Sequence, residues 1–265
     1  MAARRSVLAV IVFRPNGAVM SGSGFVIRRN LEAQESIVLT SSHTLGLVED
    51  EDVLRVRYPK FPRGVQELPA TILYQNATFD VAILRVGLTS LLPLRFAMED
   101  ATIGESVVAV GYCDPDNLLN GLTFTRLPAI SPGLVRPEGI LCDATSDDVD
   151  LCYVVLSCVC LPGMSGGPVL SRKGVIGMVD SGDPGYTNAV SPDTILGVLK
   201  LYLTSMDETL DLSEMTMEEV LDMMGVMYCP SDQDDEQLGH RSISPPSPCR
   251  ASRRSWTSLS FFFLK

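Results

Sequence analysis

Ser165 stands in Leu161-Pro162-Gly163-Met164-Ser165-Gly166-Gly167-Pro168-Val169, a hydroxyl among glycines with an apolar strand behind it. Gly163 lets the backbone turn so that the N–H groups of Gly163 and Ser165 face one point, where a developing oxyanion would be held. Gly166 and Gly167 keep side-chain bulk away and leave room for a carbonyl carbon to approach. An ordinary Gly/Pro turn does not need this order of residues. The segment is therefore read as the carrier of a nucleophile for acyl transfer, which requires a base and an orienting acid elsewhere in the chain.

The chain has two histidines. His240 lies in a polar stretch without periodicity. His43 closes Ser36-Ile37-Val38-Leu39-Thr40-Ser41-Ser42-His43, a β-branched strand running into a turn of small residues. An imidazole with a reference pKa of about 6.5 can take the proton of a serine near neutral pH. The acid should be a carboxylate that tolerates burial beside the ring. Asp80 opens Asp80-Val81-Ala82-Ile83-Leu84-Arg85-Val86, and a carboxylate at the mouth of an apolar run is costly to bury unless paired. The alternative for Asp80 is a strand cap at the surface. Taken together, the chain order is His, Asp, Ser, which is that of chymotrypsin and not of subtilisin or the α/β-hydrolases.

Four blocks carry a resemblance: Ser21-Gly22-Ser23-Gly24-Phe25-Val26-Ile27, Val38-Leu39-Thr40-Ser41-Ser42-His43, Asp80-Val81-Ala82-Ile83-Leu84 and Pro162-Gly163-Met164-Ser165-Gly166-Gly167-Pro168. With Gly174-Val175-Ile176-Gly177-Met178 behind the serine block, the chain resembles a trypsin-like serine protease of the Deg/HtrA (Do-like) family over roughly residues 6 to 200. The resemblance implies His43 as base, Asp80 as orienting acid, Ser165 as nucleophile and an oxyanion hole from Gly163 and Ser165. It implies protein or unfolded-polypeptide substrates, a place in protein quality control, assembly into a homotrimer, and no metal or cofactor. Two positions depart from the usual pattern: Met164 stands where the family carries Asn, and Thr44 where it carries Val. The protease region is followed by about 65 residues, too few for a PDZ domain and its linker.

Specificity is read from the residue six before the nucleophile, which lies at the base of the primary pocket in this family. Here it is Val159, which is uncharged, so small or medium apolar residues are expected at the cleaved position. Asp180 follows the apolar run Val175 to Val179; it either binds a substrate amide or caps the strand.

The elements that must position these groups read as all-β: two six-stranded antiparallel barrels of the chymotrypsin-like kind, with a C-terminal helical extension. Short apolar runs separated by Gly, Pro, Asn and Asp mark the strands. Runs at 6–13, 24–28, 36–40, 53–58, 70–74 and 81–86 build the first barrel, about 6–100. Runs at 106–111, 122–126, 133–137, 152–157, 169–170, 175–179 and 187–190 build the second, about 104–200. The protease domain is assigned to 1–203, an acidic Met-rich helical extension to 204–228 and a disordered tail to 229–265. A closing helix starts after Ser191. A second is signalled by Thr216 and Glu219 at capping-box spacing, with Met217, Val220, Leu221 and Met224 on one face. Such a Met stripe is either a packing face or a flexible docking surface.

The 265 residues carry a net charge of −11. Residues 201–240 contain eleven acidic side chains and no Lys or Arg, so the imbalance is local and no nucleic-acid surface is expected. Phe261-Phe262-Phe263-Leu264 is far too short to span a membrane. The seven cysteines are odd in number and irregular in spacing, and read as free thiols rather than disulfides. Cys158-x-Cys160 is too tight for a zinc knuckle. With no signal or transit peptide recognised, the expected location is intracellular, cytoplasmic or nuclear. The competing reading of the whole chain is a latent or inactive protease-like domain that serves as a protein-binding scaffold.

Overall fold

The computed structural model describes residues 3–59, 64–113, 127–143, 149–183 and 185–227. The expected strand at 122–126 and the expected disordered tail lie outside these residues.

Six strands close the first barrel: β1 (Val7–Phe13), β2 (Val19–Asn30), β3 (Glu35–Ser41), β4 (Val53–Pro59), β5 (Val65–Asn76) and β6 (Val81–Val86), in the order β1-β2-β3-β6-β5-β4. Six more close the second: β7 (Ser106–Gly111), β8 (Ala129–Asp143), β9 (Leu151–Leu156), β10 (Pro168–Leu170), β11 (Val175–Asp183) and β12 (Tyr186–Val190), in the order β10-β11-β12-β9-β8-β7. The expected double barrel is thus the fold. The elements that differ most from their sequence reading are β2, β5 and β8, each longer than its apolar kernel. β8 contains Pro132, Gly133, Pro137 and Gly139, which punctuate the sequence like loop residues, and its pairing with β9 shifts register between Val135 and Ile140. Such a bulge absorbs extra residues and bends the strand without ending it.

Side chains alternate across each strand, so one face of a barrel strand fills the barrel and the other must find a partner. Leu8, Val10, Val12, Val26, Val38, Val56 and Leu84 fill the first barrel. The opposite faces of the same strands present Val7, Ala9, Ile11, Phe25, Leu39 and Ile83, which pack with Val110, Tyr112, Val175 and Met178 of the second. Both faces of β1 are buried in this way, which is why Val7–Phe13 reads as an unbroken apolar run.

A single helical turn, α1 (Ser42–Leu45), follows β3. The closing helix, α2 (Pro192–Met206), is capped by Ser191, whose side chain accepts from the Thr194 N–H. The last helix, α3 (Met217–Met227), opens with the expected capping box: Thr216 N–H donates to Glu219 at 2.8 Å and Glu219 N–H donates to the Thr216 hydroxyl at 3.4 Å. Val220, Leu221 and Met224 are buried in the core shared by both barrels, so the stripe is a packing face. Arg28 of β2 pairs with Asp222 at 2.7 Å on the same helix.

One expectation about cysteine is corrected. Cys142 and Cys152 sit opposite each other in the β8–β9 ladder and form a disulfide. The pairing follows from strand register after the β8 bulge, which spacing along the chain does not show. Cys113, Cys158 and Cys160 are free thiols.

Candidate active site

The first barrel supplies His43 and Asp80 from adjacent strand ends. β3 and β6 pair with Ser41 opposite Val81, so α1, which begins at Ser42, lies next to the turn that ends at Asp80. That turn is shaped by Asn76, whose side-chain oxygen accepts from the N–H groups of Thr78 at 3.0 Å and Phe79 at 3.2 Å. Asp80 itself adopts a positive φ of 52°, unusual for a residue with a side chain. In that conformation its carbonyl accepts from the Ser42 N–H at 3.1 Å while its carboxylate turns toward His43.

The carboxylate grips His43 at two points. One oxygen accepts from the His43 main-chain N–H at 2.7 Å, and the other lies 2.7 Å from Nδ1 of the ring. An acceptor on Nδ1 places the ring proton there and leaves Nε2 as the free basic nitrogen. Burial disfavours the charged ring, but the Asp80 hydrogen bond and the charges of Asp80 and Asp180 outweigh it, so the His43 pKa lies above its ordinary value.

Ser165 comes from the second barrel, in the loop before β10. Its loop is pressed against the first barrel, where Ser23 N–H donates to the Ser165 carbonyl at 2.8 Å. Gly166 has a φ of 79°, and a Cβ there would collide with the Ser23 carbonyl and with the Ser41 N at the end of β3. Only glycine allows the serine loop this close to the histidine strand. Gly163 has a φ of 93°, and its carbonyl accepts from the Ser23 hydroxyl at 2.7 Å. Met164, Gly166 and Gly167 use their N–H groups within the protein. Among the described residues the N–H groups of Gly163 and Ser165 have no such partner. These are the two donors the sequence singles out.

Asp180 proves to be part of this cluster. It is the bulged residue of β11: the β11–β12 register shifts between Val179 and Ser181. A bulge re-aims a side chain, and here it sends the carboxyl toward the histidine. Asp180 lies 3.9 Å from Nδ1 of His43, and its carboxyl oxygen is within 4.8 Å of that of Asp80. Its main-chain carbonyl accepts from the Ser165 hydroxyl at 3.2 Å, which is where that hydroxyl's hydrogen bond runs among the described residues. Burial, then the neighbouring Asp80 as hydrogen-bond partner and as charge, push its carboxyl up to about 7. His43, Asp80 and Asp180 are spaced closely enough to offer ligands to a cation. The 2.7 Å contact between Nδ1 and Asp80 is that of a shared proton, and a zinc ion between them would need about 2 Å to each atom.

Val159, expected at the base of the substrate pocket, stands at an open position, 67% exposed. Its N–H donates to the Ser131 hydroxyl at 3.0 Å and its carbonyl accepts from that hydroxyl at 2.7 Å, which ties the segment to β8. Sequence reasoning assigned no role to Ser23. The signal was a serine between two glycines, just before the apolar run Phe25-Val26-Ile27.

Two barrels with a serine, a histidine and an aspartate near their junction are the architecture of chymotrypsin-like serine peptidases. Residues 22–178 match the trypsin-like peptidase domain, and the chain belongs to that family. It is 29% identical over 162 residues to serine protease Rv3671c of Mycobacterium tuberculosis strain H37Rv and to serine protease MT3772 of strain CDC 1551. Each alignment covers 61% of this chain and 36% of the relative, so the chain spans about a third of the length of these proteins. The fold is similar to that of the Rv3671c protease in its active form, with a TM-score of 0.59 and 24% identity over 75% of this chain and 81% of that one. The inactive form gives a TM-score of 0.56 at 23% identity, over 76% and 90% of the two chains. The resemblance to trypsin-like serine proteases read from the four sequence blocks therefore holds.

Proposed function

We propose that this chain is a serine endopeptidase that hydrolyses peptide bonds through His43, Asp80 and Ser165. The observation that carries the proposal is the two-point hold of Asp80 on His43, which fixes both the tautomer and the ring orientation a general base needs. His43 Nε2 takes the Ser165 hydroxyl proton as Oγ attacks the substrate carbonyl. The N–H groups of Gly163 and Ser165 receive the negative charge on the carbonyl oxygen. His43 then gives its proton to the leaving amine, and water repeats the sequence on the acyl-enzyme. Damaged or unfolded proteins are the substrates the Deg/HtrA likeness favours, with a small or medium apolar residue before the cleaved bond because Val159 brings no charge. Cleavage of a peptide library mainly after Lys or Arg overturns that preference.

A second reading is a latent domain. It is favoured by the Ser165 hydroxyl, which donates to the Asp180 carbonyl and not to His43. A fluorophosphonate probe separates the two. Labelling of the wild type and not of Ser165→Ala supports the enzyme; a folded wild type that resists labelling supports the latent domain. Among the described residues no helix is long and apolar enough to cross a membrane.

A further inference from the structure

We propose that Asp180 is a positioning acid of this site, one that holds a proton beside the Asp80–His43 pair and so sets the pH at which His43 becomes a free base. The proposal rests on the reading of His43 and Asp80 as base and orienting acid.

The geometry comes from the bulge in β11. In a regular ladder each residue of β11 would face one residue of β12. Instead Val179 faces Ala189 and Ser181 faces Asn188, and Asp180 is left over between them. Its main chain is thereby free to accept the Ser165 hydroxyl, and its side chain is only 16% exposed and reaches the Asp80–His43 pair. One residue thus touches the nucleophile through its carbonyl and the acid–base pair through its carboxyl.

Two carboxyl groups whose oxygens lie within 4.8 Å of each other, shielded from bulk water, favour retention of one proton between them. Asp80 is the better site for the negative charge. It accepts two hydrogen bonds from His43, whereas Asp180 receives one from the Ser181 hydroxyl at 3.1 Å. The shared proton therefore resides on Asp180. The titratable groups that face Asp180 among the described residues are His43 from α1 and Asp80 from the turn before β6. From β12 the opposing residues are Ala189 and Asn188, which do not titrate. The direction in which burial and Asp80 push the Asp180 carboxyl agrees with this placement.

The consequence is a linked titration. While Asp180 keeps its proton, His43 sees one negative neighbour. When Asp180 releases that proton to solvent, the ring sees two and holds its own proton more tightly. Charge on one carboxyl thus controls the basicity of the other's partner.

The test is a proton NMR titration of the His43 ring, run in a His240→Gln background so that one imidazole remains. In the protein with Asp180 intact, two linked steps are expected. Asp180→Asn keeps the shape of the side chain but cannot ionise, so the His43 midpoint should fall by roughly one pH unit and the two steps should merge. The acid limb of the kcat/KM profile should move by the same amount. A His43 ring that titrates in one step at the same pH in both proteins overturns the proposal. So does a common drop in Tm for Asp180→Asn and Asp180→Ala with an unmoved midpoint, which marks a merely structural residue. Because the ring titration needs no turnover, lack of peptidase activity would count against the enzyme reading alone.

Discussion

Ser23 of the first barrel donates its hydroxyl proton to the carbonyl of Gly163 in the second, at 2.7 Å. The Ser23 hydroxyl oxygen in turn accepts from the Tyr112 N–H at 2.8 Å, and the Ser23 main-chain N–H donates to the Ser165 carbonyl. The side chain is fully buried, so these partners have no water to replace it. Ser23→Ala should cost about 1–3 kcal/mol of stability, because it leaves a buried donor and a buried acceptor unpaired. It should also reduce kcat by roughly 10 to 10³-fold with little change in KM, since the loss falls on the loop that holds the oxyanion donors. Thermal melts and steady-state kinetics on a peptide substrate check both parts. A variant that melts early but turns over normally would assign Ser23 to packing alone.

Asp80→Asn tests the hold on His43. The amide keeps the shape of the side chain but cannot fix the proton on Nδ1, and such a change costs about 10⁴ in kcat where the triad operates. Loss of less than tenfold in kcat would remove Asp80 from the acid's role.

Stability should depend on pH in a direction set by two groups. Asp180 has a folded pKa raised from 3.8 to about 7, so its contribution is fully present below its unfolded value and is lost as pH rises from about 4 to about 7. His43 is also raised, so its contribution is present below 6.5 and is lost above that, through its folded value. The wild type should therefore melt at a lower temperature at pH 8 than at pH 5. Asp180→Asn should narrow that difference, with its relative gain at high pH amounting to a few kcal/mol at most. Equal melting temperatures for the wild type across this range would contradict the raised carboxyl.

The Cys142–Cys152 bridge closes a short loop between β8 and β9, with a sequence separation of 10. Cross-linking a loop of this length stabilises by about 3 kcal/mol on the chain-entropy account. Peptide mapping under non-reducing conditions should recover the two cysteines as one linked fragment, and reduction should lower Tm. Recovery of both as free thiols from an oxidised preparation would rule the bridge out.

The parts of the site that were legible in the sequence are those whose chemistry is local. Ser165 and its glycines, the strand-to-turn setting of His43 and the strand mouth at Asp80 carry their meaning within a few residues. Most strands could be placed for the same reason, since alternation and turn residues are local signals. The role of Ser23, the contacts of Asp180 and the disulfide were not legible, because each depends on register between distant segments. Ser23 meets Gly163 across 140 positions of sequence. Asp180 reaches His43 only because one extra residue is left over opposite Ala189 and Asn188. Cys152 faces Cys142 only after the β8 bulge has shifted the pairing.

The acidic segment acquires a different meaning once α3 is in place. The chain leaves the first barrel at Val86, builds the second, and then returns through α2 and α3 to lie on β2, where Asp222 meets Arg28 and the Asn30 side chain donates to the Gly225 carbonyl at 3.3 Å. The polypeptide is thus a ring fastened at both ends to the same barrel. Val220 and Met224 bury the returning helix in the core that residues of both barrels share. The expected helical extension after residue 203 is thereby fastened to the barrel that carries His43 and Asp80.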